Sequence, residues 1–143
     1  MKAIRLIALA ACMAATLDAS AQEQEIRLFS HRGGRMEHDE NTLSAFQASY
    51  DAGYRGFETD IRMTRDGALV ITHDSSLERT TDGTGTVEEK TEAEIRRLRT
   101  KQGNKVLFLD ELLEFLEGKE GLYVEFEMKT KPEALYPEER LHA

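Results

Sequence analysis

The fold is decided by residues 55–74, which read RGFETDIRMTRDGALVITHD. Two runs of strand-forming residues flank the pair Asp66-Gly67, a signal for a tight turn, so this stretch predicts a β-hairpin. If these two are the central turn residues, position 65 opposes position 68 and opposed numbers sum to 133. Asp60 then lies across from His73, at a Cβ–Cβ distance of about 4.5–5.5 Å. The hairpin is therefore expected to place an imidazole beside a carboxylate.

Two carboxylates lie two residues apart on the first strand of the hairpin, at Glu58 and Asp60. Side chains at this spacing point to the same face of a strand, so the two can bind one cation together. Phe57 and Ile61 give the alternation of an ordinary half-exposed strand, in which such a pair is usually solvated. The pair alone leaves a metal site and a solvated surface equally open.

The rest of the chain predicts strands and helices alternating around this hairpin. A strand at 26–30 leads into a glycine-rich loop, Asn41 is a good N-cap for a first helix, and Gly53 is placed to end that helix. The later elements are a short helix opened by the capping box Thr91 to Glu94, an amphipathic helix with Leu109, Leu112, Leu113 and Leu116 inward and Gly118 at its end, and a strand at 122–128. This order is typical of the α/β class. The candidate functional residues follow strands, as in the active sites of α/β barrels.

The first 21 residues are expected to be a signal peptide. They combine the basic residues Lys2 and Arg5, an apolar run at 6–17 that is too short to span a bilayer, and the small-residue cleavage site Ala19-Ser20-Ala21. The product is then periplasmic or secreted, without a transmembrane segment once the signal is removed. A minority interpretation takes residues 9–12 as a lipoprotein box, which would anchor the chain through Cys12.

Composition narrows the function classes. Cys12 is the only cysteine and lies inside the signal, so the remaining chain has no disulfide, no thiolate nucleophile and no cysteine zinc ligand. Subtracting Lys2, Arg5 and Asp18 from 19 basic and 27 acidic residues leaves 17 and 26, a net charge of −9. Such a surface repels nucleic acid and anionic membranes, so an anionic substrate must be attracted by a local site.

A series of short motifs follows in one order along the chain. It consists of HRG at 31–33, ENT at 40–42, ETD at 58–60, TRDG at 64–67, HD at 73–74, LERTT at 77–81 and EMK at 127–129. Taken together, this series resembles the glycerophosphodiester phosphodiesterase family, over about residues 28–130. The resemblance implies a TIM-like (β/α) barrel that hydrolyses glycerophosphodiesters to an alcohol and glycerol 3-phosphate.

The resemblance also implies a role for each site residue. The metal ligands would be Glu58, Asp60 and Glu127, the general acid and base His31 and His73, and the phosphate contacts Arg32 and Lys129. A donor set made only of carboxylate oxygens suits a hard cation, Ca²⁺ or Mg²⁺. A neutral histidine can accept the proton of the attacking hydroxyl while a protonated one supplies the leaving alkoxide. The attacking hydroxyl is either water or the glycerol 2-OH of the substrate, as the family implies.

Three of these assignments have a competing interpretation. Glu125 lies on the same face of the last predicted strand as Glu127, and only the spacing to Lys129 favours Glu127. Arg32 can pair with a carboxylate such as Glu58 instead of a phosphate. Lys129 can equally be a solvated lysine.

Four further polar residues are expected to carry no chemistry. His38 and His142 have no motif around them, so we interpret them as ordinary surface histidines. Glu40 and Asn41 have a sufficient structural role in capping the first helix.

The chain departs from the family in length. A barrel of this type needs about 250 residues, and removal of the signal leaves 22–143. We therefore expect these residues to form a truncated domain, the N-terminal half of the barrel with its early hairpin. Two other functions remain open. One is a phospholipase D-like lipid phosphodiesterase, and the other is a non-catalytic binding or interaction protein built from a truncated barrel.

Overall fold

The computed structural model describes residues 26–129, which form four strands and three helices. The strands are β1 (Phe29–His31), β2 (Gly56–Met63), β3 (Leu69–Ile71) and β4 (Tyr123–Met128), and the helices are α1 (Leu43–Asp51), α2 (Glu92–Ile95) and α3 (Leu109–Leu116), with a 3₁₀ turn at Val87–Glu89. The expected signal at 1–21, with Cys12, and His142 lie outside the described residues. Between residues 26 and 129, no helix has the length and apolar character needed to cross a membrane.

Strand β2 is the centre of the sheet. It pairs in parallel with β1 and with β4, and its last residues pair antiparallel with β3. Because β1, β2 and β4 run in the same direction, their carboxyl ends meet at one edge of the sheet, the edge at which α/β folds bind ligands. The α/β class and the early hairpin are therefore confirmed.

The hairpin between β2 and β3 forms, but its predicted register is wrong by one residue. Ile61 lies opposite Ile71, so opposed numbers sum to 132 instead of 133. The N–H of Thr72 donates to the carbonyl of Asp60 at 3.0 Å. Asp60 therefore faces Thr72, and the expected cross-strand pair of Asp60 with His73 does not form.

The register is wrong because the hairpin loop contains three residues, 65–67, rather than two. The N–H of Thr64 donates to the carbonyl of Ala68, and the hydroxyl of Thr64 accepts the N–H of Ala68, both at 2.8 Å. Gly67 then adopts φ 97°, the left-handed conformation that closes a three-residue hairpin loop. Thr64 and Ala68 thus close a loop that is one residue longer than the Asp-Gly pair alone predicts.

Helix α1 begins after Thr42, so the prediction of Asn41 as N-cap is wrong. Thr42 has an extended backbone, and its Oγ1 accepts the N–H of Ala45 at 3.2 Å, as an N-cap does. Asn41 adopts φ 56°, in the left-handed region that asparagine tolerates better than most residues. Gly53, with φ 95°, follows the C-cap Ala52 as predicted.

The main core joins both helices to the sheet. Phe46 of α1 and Phe57 of β2 are fully buried, with ring centroids 5.6 Å apart in an edge-on arrangement. Leu112 of α3 is fully buried against them. The prediction that Leu113 points inward is wrong, because Leu113 is 51% exposed. Phe115 packs partly against the core instead. The apolar stripe of α3 therefore includes Phe115 in place of Leu113.

A second core cluster lies under β3 and supports the segment that follows it. Ile95 of α2 is fully buried there with Val70 and Val87. The predicted capping box of α2 is confirmed, because Oγ1 of Thr91 accepts the N–H of Glu94 and the Glu94 carboxylate accepts the N–H of Thr91. This cluster anchors the long segment between β3 and α3 to the hairpin.

Candidate active site

Three carboxylates meet on β2 and β4. Glu58 and Asp60 share one face of β2, as the sequence predicted, and Glu127 stands beside Asp60 because β4 pairs with β2 in that register. One oxygen of each carboxylate lies within 4.8 Å of the other two. Glu125 is paired with Glu58 and does not join this group. The structure therefore favours Glu127 over Glu125 as the third carboxylate.

Asp60 is the buried member of the group, and it is not a solvated residue of a strand face. Its side chain is 0% exposed. Its Oδ2 accepts a hydrogen bond from Nδ2 of Asn41 at 3.0 Å and lies 3.2 Å from Nε of Arg32. Its Oδ1 lies 3.1 Å from Nζ of Lys129 but accepts no hydrogen bond. A buried charged oxygen without a hydrogen-bond donor is costly unless it is paired with an ion or binds a metal.

Glu58 lies in a crowded acidic environment. Burial, and after it the negative charge of Asp60, raises the pKa of Glu58 above its usual value of 4.5. Its Oε2 accepts the N–H of Arg32 at 3.2 Å and lies 3.6 Å from Nε2 of His31. A divalent cation bound at this point would favour the ionised carboxylate and oppose the rise of the pKa.

Lys129 follows β4 and turns its ammonium group toward the carboxylates. Its Nζ lies 3.1 Å from Oδ1 of Asp60 and 2.5 Å from Oε1 of Glu127. Burial alone would lower the pKa of Lys129, but the contacts with Glu127 and Asp60 outweigh burial and raise it. Lys129 is therefore a charged partner of the acidic group and not a freely solvated lysine.

The donor set fits a hard divalent cation. The three carboxylates carry three negative charges, and Arg32 and Lys129 are the two cations in contact with Asp60, so a negative charge remains. All the donors are oxygens, which Ca²⁺ and Mg²⁺ prefer. The buried Oδ1 of Asp60 has the Lys129 ammonium 3.1 Å away, so a cation bound there would compete with that ion pair. The residues thus fit the cation that the family resemblance implies.

The turn after β1 directs Arg32 into the site. Arg32 has φ 53°, and Gly33 has φ 74° and packs so tightly that a Cβ there would lie 2.9 Å from a side chain of α1. A positive φ at a non-glycine residue is strained and persists only where the surroundings hold it. The Arg32 guanidinium, 9% exposed, pairs with Glu40 and Asp60, each at 3.2 Å. Its contact with Glu58 is made by the backbone N–H and not by the guanidinium.

The two candidate acid/base residues lie in different environments. His31 ends β1 with its side chain 52% exposed. His73 lies beyond β3, with Nδ1 2.6 Å from Oδ1 of Asp74 and its backbone carbonyl accepting a hydrogen bond from Nε of Arg62 at 2.8 Å. The hydrogen bond from Arg79, and after it that with His73, lowers the pKa of Asp74 to about 2. Asp74 therefore presents a permanently ionised carboxylate to His73.

Glu40 and Asn41, which the sequence predicts to be structural residues only, contact the site. Asn41 donates to Asp60, and Glu40 accepts hydrogen bonds from both Arg32 and Arg79. The prediction that Glu40 and Asn41 serve only to cap α1 is therefore wrong. The motifs themselves contain a signal for this role, because Glu40 and Asn41 belong to ENT at 40–42 and Arg79 belongs to LERTT at 77–81. Helix-capping rules alone, however, already explain Glu40 and Asn41.

A cleft of about 680 Å³ lies away from the carboxylates. Its lining includes Leu28, Gly56 and Tyr123, which lie at the amino-terminal ends of the parallel strands. None of the candidate site residues lines this cleft. The chemistry therefore belongs to the opposite edge of the sheet.

Proteins of one family match this chain in sequence and in fold. Residues 31–143 match the sequence model of the Glycerophosphoryl diester phosphodiesterase family. A curated glycerophosphodiester phosphodiesterase from Caldanaerobacter subterraneus subsp. tengcongensis is 36% identical, over 80% of this chain and 50% of its own length. The chain thus spans about half the length of the curated relatives it matches.

Solved structures agree with this match. The glycerophosphodiester phosphodiesterase from Agrobacterium tumefaciens aligns with a TM-score of 0.65 and 36% identity, covering 71% of this chain and 47% of that chain. A glycerophosphoryl diester phosphodiesterase from Parabacteroides distasonis aligns with a TM-score of 0.67 and 32% identity, covering 83% of this chain and 42% of that chain. The TIM-like barrel class is therefore confirmed, and the described strands and helices correspond to part of that barrel.

Proposed function

Because the chain belongs to the glycerophosphoryl diester phosphodiesterase family, we propose that it hydrolyses glycerophosphodiesters to an alcohol and glycerol 3-phosphate. The observation that carries this proposal is the group formed by Glu58, Asp60 and Glu127, which has Arg32 and His31 beside it. A cation held by these carboxylates, together with an arginine and a histidine, could neutralise, orient and protonate a phosphodiester. A solvated strand face offers none of these.

In this proposal Glu58, Asp60 and Glu127 hold one divalent cation, Ca²⁺ or Mg²⁺. The bound cation supplies positive charge that polarises a phosphoryl oxygen and lowers the pKa of a coordinated hydroxyl. Arg32 and Lys129 contribute further positive charge for the phosphate oxygens. The ion pairs of Nη1 with Glu40 and of Nε with Asp60 hold the Arg32 guanidinium in place and leave Nη2 for a phosphate oxygen.

His31 and His73 then carry the proton transfers. The neutral histidine accepts the proton of the attacking hydroxyl as that oxygen bonds to phosphorus. The protonated histidine donates its proton to the leaving oxygen as the second phosphorus–oxygen bond breaks. Asp74 accepts from Nδ1 of His73 and so leaves Nε2 for this transfer. Each transfer contributes a factor on the order of 10²–10⁴ in rate.

The test is the release of glycerol 3-phosphate from glycerophosphocholine by the purified protein. We expect release that is abolished by EDTA, by His31→Ala and by Glu127→Gln. The matched controls are His38→Ala and Glu125→Gln, which change the same residue types outside the site and should leave the rate near that of the wild type. Activity that survives both EDTA and His31→Ala would contradict the proposal.

A second candidate function is an interaction protein without catalysis. The observation in its favour is the exposure of apolar side chains along β4, where Tyr123 is 47%, Phe126 36% and Met128 49% exposed. Within residues 26–129, β4 pairs only with β2, and exposed apolar side chains on a strand favour association with another chain. Association that rises with protein concentration, without release of glycerol 3-phosphate, would favour this candidate over the first.

A further inference from the structure

An unbroken chain of ion pairs joins the two halves of the site. One half contains the carboxylates on β2, and the other contains the histidine that follows β3. Every contact between them joins a carboxylate to a guanidinium or an imidazole. The chain runs through His73, Asp74, Arg79, Glu40, Arg32 and Asp60, in that order.

The guanidinium of Arg79 links Glu40 to Asp74 in this chain of ion pairs. Its Nη1 and Nη2 donate to the two oxygens of Glu40 at 2.9 and 2.7 Å. Its Nε donates to Oδ2 of Asp74, whose other oxygen contacts Nδ1 of His73 at 2.6 Å. A two-pronged contact between guanidinium and carboxylate fixes orientation as well as distance. The two-pronged contact with Glu40 therefore fixes the Arg79 guanidinium, and its Nε in turn holds one oxygen of Asp74.

Glu40 is shared between two arginines. The oxygen that accepts from Nη2 of Arg79 also accepts from Nη1 of Arg32 at 3.2 Å. The Glu40 side chain is only 14% exposed, although that of Arg79 is 47% exposed. Hydrogen bonds from Arg79 lower the pKa of Glu40, so its carboxylate is ionised at neutral pH. The ion pair between Glu40 and Arg79 is thus held by the mostly buried Glu40 carboxylate. It differs in this from a fully exposed salt bridge, which usually contributes little to stability.

We propose that Glu40 and Arg79 are positioning residues, which hold Asp74 against His73 and Arg32 against Asp60 as one rigid frame. Neither residue contacts a reacting atom in this scheme. Their effect on His73 is to keep its proton on Nδ1 and to present Nε2. The inference rests on the proposed function for its catalytic consequence, whereas its structural consequence can be measured without any turnover.

The structural test is the tautomer of His73, observed through the ¹⁵N resonances of its imidazole at a pH where the ring is neutral. His73→Gln assigns the signal. We expect the wild type to hold the proton on Nδ1, and both Glu40→Gln and Arg79→Gln to shift the population toward the other tautomer. The control is Arg96→Gln, since Arg96 also pairs with several carboxylates but lies outside the chain of ion pairs.

A double-mutant comparison separates positioning from general loss of structure. Among the described residues, Glu40 forms hydrogen bonds and ion pairs with Arg32 and Arg79 and not with His73, so the polar route from Glu40 to His73 passes through Arg79. We therefore expect Glu40→Gln to change the tautomer in the wild-type background and to add nothing in the Arg79→Gln background. Arg79→Lys keeps the charge without the fork and should resemble Arg79→Gln. A His73 spectrum unchanged in Glu40→Gln, or an equal effect of Glu40→Gln in both backgrounds, would overturn the inference.

The kinetic test is separate. In glycerophosphocholine hydrolysis we expect Arg79→Gln to lower kcat by a factor on the order of 10² with a smaller change in KM, because it misplaces a group used in the chemical step. A change in KM alone would overturn the catalytic part of the inference. If the wild type releases no glycerol 3-phosphate while the tautomer shifts as expected, the proposed function fails and the positioning role is supported.

Discussion

Replacing Asn41 separates two views of this residue. Sequence rules made it a helix cap, whereas the structure makes it the hydrogen-bond partner of a buried carboxylate. Its Nδ2 donates to Oδ2 of Asp60 at 3.0 Å, and its Oδ1 accepts from the hydroxyl of Thr59 at 2.9 Å. Asp60 and Thr59 are both 0% exposed, so water does not readily replace what Asn41 provides. Asn41→Ala should therefore be far more harmful than the loss of a cap.

The expected magnitude follows from these contacts. Loss of a hydrogen bond to a charged group costs about 2 kcal/mol, and a buried hydroxyl left without its acceptor costs about 2 kcal/mol more. Alanine at the left-handed φ of 56° adds about 1 kcal/mol. Asn41→Ala should thus lower the free energy of unfolding by about 5 kcal/mol, and Asn41→Gly, which relieves the backbone, by about 4 kcal/mol. Loss of an N-cap would cost only about 1 kcal/mol.

The assay is equilibrium unfolding in urea, with Thr42→Ala as the matched variant at the true N-cap. We expect Thr42→Ala to lower the free energy of unfolding by about 1 kcal/mol. Two results would contradict this role of Asn41: a cost of Asn41→Ala no greater than that of Thr42→Ala, or a stability of Asn41→Gly close to that of the wild type. Either result would mean that Asp60 finds its hydrogen bonds without Asn41.

The remaining predictions concern the core, the pH dependence and export. Leu112→Ala should cost about 2–5 kcal/mol in urea unfolding and Leu113→Ala less than about 1 kcal/mol, and equal costs would contradict the packing of α3. Because the pKa of Glu58 is raised above 4.5 in the folded protein, the metal-free protein should lose stability as the pH rises from 4.5 through that raised pKa. Glu58→Gln should remove this loss. If the free energy of unfolding in EDTA depends on pH in the same way for the wild type and for Glu58→Gln, the prediction is wrong. The expected signal at 1–21 predicts that the protein purified from its native cells begins at Gln22, and amino-terminal sequencing that finds residues 1–21 intact would contradict this prediction.

The sequence predicted those features of the site that depend on local spacing. Glu58 and Asp60 share a face because the side-chain period of a strand is two, and the capping box at Thr91 and Gly53 at the end of α1 follow equally local rules. The motif order added Glu127, which lies far along the chain and which only the pairing of β4 with β2 brings beside Asp60.

The errors arose where a distant contact decides a local structure. The Asp66-Gly67 pair fits a two-residue turn, but the carboxylate of Asp66 accepts the N–H of Glu92 at 2.9 Å and the hydroxyl of Thr64 at 2.6 Å, which supports the longer loop. Asn41 fits a cap by propensity, but its buried partner Asp60 is 19 residues away. Local rules contain no information about either contact.

The proposed chemistry depends most on the binding of a single divalent cation by the three carboxylates Glu58, Asp60 and Glu127. The most direct measurement is a calorimetric titration of the metal-free protein with Ca²⁺, repeated with Mg²⁺, for the wild type, Glu127→Gln and Glu125→Gln. We predict one site per chain in the wild type and in Glu125→Gln, and no measurable site in Glu127→Gln. Binding that is equally strong in both variants, or no binding of either cation to the wild type, would contradict a cation site formed by these three carboxylates.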